Sequence, residues 1–266
     1  MKFPIALQLY TARSEMAADF EGTLKKVKEM GYDGVEFAGL HGKSAAEAKA
    51  ICEEIGLVPI SAHIPLIDMI ANPDIMDIYK EIGCKYAAIP WLPEEYRPGN
   101  PKFNELIEKS KILTKKAETI GLKLCYHNHD FEFVKVGNEY AIDILFNEVA
   151  ELMPEFDVCW VGVAGENPAE YIKKYKGRQE ILHLKDYVGK RAENMYELIG
   201  TAQHGKNANG NFEFRPVGKG VQNFPEILKA AEEVDMKWVV VEQDRPSMNL
   251  TPMECAKASI EYLKSI

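Results

Sequence analysis

Charged helical stretches alternate along this chain with short apolar runs, and a glycine stands at most of the changeovers. The unit recurs as KKVKEMGYDGVEF (25–37), AICEEIGLVPISAH (50–63), IYKEIGCKYAAIP (78–90) and KKAETIGLKLCYH (115–127). KAAEEVDMKWVVVEQ (229–243) is a variant with Asp235 in the glycine's place. A helix ends readily on a left-handed residue, and Gly adopts that conformation without a Cβ clash. The apolar runs show no polar alternation, the pattern of a parallel strand buried on both faces. Roughly eight such units can be counted, the number that a (β/α)8 barrel requires.

The pattern therefore predicts an α/β protein, a single (β/α)8 TIM barrel domain over residues 1–266. Strands are predicted at 5–10, 33–37, 57–63, 85–90, 122–127, 156–161, 180–185 and 237–243. Helices fall between them, and a last one at 252–265 closes the ring. The longest, near 102–120, carries Phe103, Leu106, Ile107, Ile112, Leu113 and Ala117 at helical spacing, with Pro101 just ahead of its first turn. Two connections are long: 64–71, and 186–221 with its Gly- and Asn-rich GTAQHGKNANGNFEFRPVGKG. Long ordered loops in compact domains are often functional.

Barrel enzymes carry their sites at the C-terminal ends of the strands, and polar residues stand there. They are Glu36, His63 after Ser61-Ala62, the HNH run His127-Asn128-His129, Asp157 in FDVCW, His183, Lys185 and Asp186 in ILHLKDY, and Glu242, Gln243 and Asp244 in VVVEQD. Side chains alternate along a strand. His183 and Lys185 thus share one face, expected to be the barrel interior, and Glu242 shares a face with Asp244. A carboxylate straight after three valines is costly to bury unless it is paired or metal-bound. Asp157, His183 and Glu242 suit one divalent cation, Mn, Mg, Co or Zn. Either His127 or Glu132 would be the fourth ligand. The competing expectation is an ion pair at the barrel mouth, such as Lys185 with Glu242. His63 is a candidate to orient substrate, and Trp91 and Trp160 to wall a sugar ring, although buried packing also explains all three. Arg215 and the VGKG turn at 217–220 are candidates to hold an anion through backbone N–H donors and a cation; a plain tight turn is the alternative. His41 reads as a surface loop residue, and His204 lies in the long loop.

Composition narrows the function. The net charge is -9, against the basic stripe of a nucleic-acid surface. The 5 cysteines are widely spaced with no CxxC pair, so they read as reduced thiols in a cytoplasmic protein rather than as a zinc site. The first residues, MKFPIALQLYTARSEM, are too polar for a signal peptide, and no run reaches the ~18 apolar residues of a membrane span. The expected partner is a small molecule, with no nucleic acid and no membrane; a homo-oligomer is left open.

HNHDFEF, FDVCW, HLKD, RPVGKG and VEQD give the chain a recognisable signature. It resembles the xylose isomerase-like TIM barrel family over nearly its whole length, and within it the sugar phosphate isomerases/epimerases and inosose dehydratase. The resemblance implies one divalent metal held from strands 5 to 8, with Asp157, His183 and Glu242 at the matching positions. It departs on strand 5, where the family's epimerases place a glutamate, often in ENH, and this chain has His127. Inosose dehydratase-like members also carry histidines there. The family's shared step is proton abstraction next to a carbonyl, through a metal-stabilised enediolate. His129 or His127 is then the expected base, Lys185 a donor to oxygen, and Glu132 a positioner of a hydroxyl. In two-base epimerases the strand-5 and strand-8 glutamates exchange protons, which casts Glu242 as catalytic and leaves its partner missing. The leading expectation is a metal-dependent sugar or sugar phosphate isomerase/epimerase. The alternative is an inosose dehydratase-type lyase removing water from a keto-inositol or keto-sugar. A DNA-repair endonuclease on the same barrel fits poorly with 6 histidines and the acidic charge.

Overall fold

The computed structural model describes residues 2–192, 196 and 211–266. Among them, eight strands form the barrel: β1 (Ile5–Gln8), β2 (Gly34–Phe37), β3 (Val58–Ala62), β4 (Tyr86–Ile89), β5 (Lys123–His127), β6 (Met153–Glu155), β7 (Ile181–Leu184) and β8 (Trp238–Val241). The principal helices between and after them are α1 (Phe20–Met30), α2 (Ala45–Ile55), α3 (Ile75–Ile82), α4 (Phe103–Thr119), α5 (Ala141–Glu148), α6 (Pro168–Lys174), α7 (Phe224–Glu233) and α8 (Pro252–Ser265). No described helix is long and apolar enough to cross a membrane.

The changeover glycines behave as the pattern predicts. Gly31, Gly56 and Gly83 follow α1, α2 and α3 with positive φ, and Asp235 takes φ 61 near the end of α7 where the variant unit lacks glycine.

One strand is misplaced by the sequence pattern. The run at 156–161 was expected to be strand 6, but Val158–Val163 is helical and β6 lies just before it. Asp157 decides this locally: its side chain accepts from the backbone N–H of Cys159 and Trp160 and so caps the helix. A short apolar run cannot be assigned to strand or buried helix by periodicity alone.

The ring closes in two arcs. β3, β2, β1, β8 and β7 pair in parallel in that order, as do β4, β5 and β6. Two single parallel bridges join the arcs, His63 to Ala88 and Asp157 to His183. Both seams therefore run through polar residues of the C-terminal face. Inside the ring, Ala6, Ile60, Tyr86, Ala88, Cys125, Met153, Ile181 and Val240 form a small apolar cluster. It is distinct from the larger layer between strands and helices. Above this plug, the next inward positions are Gln8, Glu36, His127, Glu155, His183 and Glu242, all buried. Filling by successive layers is how such barrels pack, and here the top layer is polar.

Candidate metal centre and cavity

β5, β6, β7 and β8 bring His127, Asp157, His183 and Glu242 together, with one ligand atom of each within 4.8 Å of the others. His183 Nδ1 lies 3.0 Å from Glu242 Oε2. His127 Nε2 stands 3.3 Å from Asp157 Oδ2 and 3.5 Å from Glu242 Oε2. Neither ring nitrogen of His127 makes a hydrogen bond, although both are buried. Buried polar atoms are almost always partnered. Two imidazoles and two carboxylates turned towards one another, with His127 lacking a partner at either nitrogen, are a donor set that fits a divalent cation.

Lys185 closes this set from the side of the mouth. Its ammonium lies 3.0 Å from Asp157 Oδ2, 3.0 Å from Glu242 Oε2 and 2.9 Å from Asp244 Oδ2. The ion pair of Lys185 with Glu242 is therefore present alongside the ligand set rather than instead of it. Burial opposes the lysine's charge, but Asp157, Asp244 and Glu242 outweigh it and hold its proton affinity well above the usual amine range. Burial likewise opposes an ionised Glu242, and Lys185 with His127 and His183 holds its carboxyl well below the usual range.

A second polar group lies against the first and was not foreseen as a unit. Glu36, His63, Glu155 and His183 also bring ligand atoms within 4.8 Å of one another. His183 Nε2 is 2.8 Å from Glu36 Oε1, and His63 Nε2 is 3.1 Å from Glu36 Oε1 and 3.0 Å from Glu155 Oε2. Burial works against a charged His63, yet Glu36 and Glu155 raise it to about 10. Glu36 was visible as a strand end. Glu155 was missed because strand 6 was placed three residues too late, at 156 instead of 153. Its signal was the spacing in MPEFD, which puts Glu155 and Asp157 two apart.

The cavity over these groups measures about 550 Å³. His63, His127, His129, Lys185, Glu242 and Asp244 give it a polar floor, and Ile64, Leu66, Ile67, Trp91 and Pro93 contribute an apolar side. His129 is stacked on Phe131 and meets Trp91 edge-on, and its buried Nδ1 has no hydrogen-bond partner. Burial, then His127 and Lys185, push its proton affinity well below the usual imidazole range.

Other predicted residues lie elsewhere. Glu132 accepts from Tyr126 Oη at 2.6 Å and from the His129 backbone N–H at 2.8 Å, so it braces the turn carrying His129 and belongs to neither ligand group. Trp160 does not line the cavity; it is fully buried among Phe212, Phe214 and Cys159. Arg215 lies on a two-stranded ribbon of Asp186–Val188 with Glu213–Arg215 and pairs with Glu213 at 3.3 Å. The amides of the VGKG turn already hold an anion, the carboxylate of Asp186. It accepts from the N–H of Gly218 at 3.0 Å, Gly220 at 2.8 Å and Gln222 at 3.1 Å. A substrate anion therefore finds these donors taken. His41 adopts φ 48 and packs at 6.4 Å from the Phe20 ring, away from the ligand groups. His204 lies outside the described residues.

Known proteins share this fold to a measurable extent. A family model described as xylose isomerase-like TIM barrel matches residues 24–266. An inosose dehydratase of Clostridium beijerinckii is 29% identical over 179 residues, 62% of this chain and 57% of that protein; the match thus spans little more than half of the relative's length. The crystal structure of a sugar phosphate isomerase/epimerase from Parabacteroides distasonis superposes with a TM-score of 0.77 at 21% identity, covering 98% of this chain and 93% of that one. That of the IolI protein, solved with a bound zinc atom, gives 0.72 at 17% identity, covering 99% and 97%. At such identities the structural likeness speaks for the fold alone. Since the family model runs from residue 24 to the end of a chain whose strands close the expected ring, the chain belongs to the xylose isomerase-like TIM barrel family.

Proposed function

We propose that the protein is a divalent-metal-dependent enzyme that abstracts a proton next to a carbonyl of a sugar or keto-sugar. The observation that carries this is the convergence of His127, whose buried ring nitrogens have no partner, with Asp157, His183 and Glu242 under a cavity that His129 and Lys185 also line. These four residues would hold the cation, and the structure of the similarly folded IolI protein contains a bound zinc atom. A bound cation would polarise the carbonyl oxygen and stabilise negative charge developing on it. His129, neutral and with a free Nδ1, accepts the proton. Lys185, kept charged by three carboxylates, sets a positive charge beside the cavity that stabilises negative charge on a substrate oxygen. Trp91 borders the cavity and offers an apolar face to the ring of the substrate.

Return of the proton to the neighbouring carbon makes an isomerase, and a proton delivered to the opposite face of the same carbon makes an epimerase. Glu242 is a poor second base, because Lys185 and His183 both lie 3.0 Å from its Oε2 and stabilise the carboxylate. One base on one face favours isomerisation over two-base epimerisation. The second reading is a lyase that expels a β-hydroxyl, favoured by the inosose dehydratase relative. Five buried free cysteines suit a reducing cytoplasm.

Incubation with Mn²⁺ and a panel of ketoses and keto-inositols in D₂O tests both. Deuterium gained without loss of water is expected for the isomerase, and an unsaturated dicarbonyl product for the lyase. Activity indifferent to EDTA and to Asp157→Ala would defeat the metal-dependent reading altogether.

A further inference from the structure

His183 is gripped at both ring nitrogens. Nδ1 faces Glu242 Oε2 at 3.0 Å, inside the ligand set. Nε2 faces Glu36 Oε1 at 2.8 Å, on the other side of the ring. Glu36 is itself fixed. Gln8 Nε2 donates to the same oxygen at 2.7 Å, and His63, whose ring lies nearly parallel to that of His183 at 5.1 Å, approaches it at 3.1 Å. His63 is held in turn by Glu155 at 3.0 Å. Gln8, Glu36, Glu155 and His183 are fully buried. The register of β2 on β3 also shifts between Val35 and Glu36. Such an irregularity re-aims a side chain at the end of a strand.

We propose that Glu36 is a positioning residue that makes His183 a metal ligand through Nδ1. An imidazole ligates with a lone pair on one nitrogen while the other carries the proton. Left alone, His183 has two such tautomers to choose between. A carboxylate held in place by Gln8 and His63 can only accept at Nε2, so it keeps the proton there. The Nδ1 lone pair then points towards His127, Asp157 and Glu242. Rotation of the ring would break the contact with Glu36, so the orientation is fixed together with the tautomer. The proposal rests on the metal reading above, and it explains why a carboxylate is buried on β2, outside the strands that carry the ligands.

The test is Zn²⁺ binding by calorimetry and Co²⁺ binding by visible absorption, on chelator-stripped protein. The wild type is expected to bind one equivalent. Glu36→Leu is expected to bind about 10–100-fold more weakly, the usual effect of losing the outer partner of a ligating histidine. Glu36→Gln keeps an acceptor oxygen under Gln8 and is expected to recover most of the affinity. Nitrogen-15 spectra of the zinc-loaded wild type and of Glu36→Gln should show a proton on His183 Nε2. If Glu36→Leu does not fold, Gln8→Ala takes its place and is expected to weaken binding to a smaller degree. Absence of binding in the wild type overturns the metal reading and this proposal with it. Binding unchanged in the variants, with the wild type competent, overturns this proposal alone. So does a second equivalent that disappears with Glu36, because Glu36 would then be a ligand itself.

Discussion

Glu132 and His129 stand three residues apart on one turn, and burial drives their protonation in opposite directions. Desolvation disfavours the charged form of each. For His129 that lowers the proton affinity and leaves a neutral ring in the cavity. For Glu132, burial raises the carboxyl to about 7, with the Tyr126 hydroxyl and the backbone N–H of His129 pulling the other way. The consequence for stability has a definite sign. An acid whose folded value lies above its unfolded one stabilises the fold at pH below about 4.5, and that contribution is lost as pH rises through about 7. A shift of this size corresponds to at most about 3 kcal/mol. Glu132→Gln can still accept from the His129 N–H through its one carbonyl oxygen and donate from its amide nitrogen to the Tyr126 hydroxyl oxygen, but it cannot ionise. Its melting temperature should therefore gain on the wild type between pH 5 and 8; parallel curves across that range would refute the account. At this scale the residue types were legible in the sequence and their environments were not. HNHDFEF announces polar residues at a strand end, but only packing shows that His129 faces the cavity while Glu132 turns to Tyr126.

Period-two alternation explains the HLKD run at the level of the element. His183 and Lys185 point into the barrel and join the ligand set, while Leu184 packs outward in the layer under the helices. Asp186 continues the outward face and gathers the chain at Gly218, Gly220 and Gln222. Gly220 is required for this, because a Cβ there would lie 2.3 Å from Asp186 Oδ1 and from the Tyr187 carbonyl oxygen. The same motif thus supplies a candidate ligand, a cation and the clasp of the following turn. Asp186→Ala should lower stability by roughly 2–3 kcal/mol, the cost of leaving amide donors without an acceptor. Gly220→Ala should act in the same direction, and urea unfolding compares them. A loss below ~0.5 kcal/mol in both would mean that water replaces the carboxylate freely. Elements bounded by glycine were readable in the sequence because a left-handed cap leaves a mark there, and α4 and α8 fall where helical spacing predicts. β6 was not readable, since the residue that starts the helix just after it, Asp157, acts through a cap whose partners are backbone amides.

Across the whole barrel, the site and the closure of the ring are the same structure. The two arcs of strands meet at His63 with Ala88 and at Asp157 with His183, and both seams carry members of the polar groups. Repeated strand–helix units foretold a ring of eight, but no pattern along the chain says where the ring is thinnest, because that depends on register between strands distant in sequence. Glu36, Glu155, Asp157, Glu242 and Asp244 are buried near these seams, with Lys185 as the lysine among them. Mutual repulsion among these carboxylates works against closure, and a divalent cation would relieve it where β6 meets β7. A ligand that binds only the folded state raises stability by about 4 kcal/mol at 1,000 times its Kd. Chelator-treated protein should therefore melt at a lower temperature, and Mn²⁺ or Zn²⁺ should raise the melting point in a concentration-dependent way. The gain should be absent in Asp157→Ala. Hydrogen exchange adds the spatial prediction: protection on metal addition should concentrate in β6 and β7, with His183 N–H, bonded to the Phe156 carbonyl at 2.9 Å, among the most affected. Protection spread evenly over all eight strands, or a melting point indifferent to metal, would separate the seam from the site and sink the coupling between them.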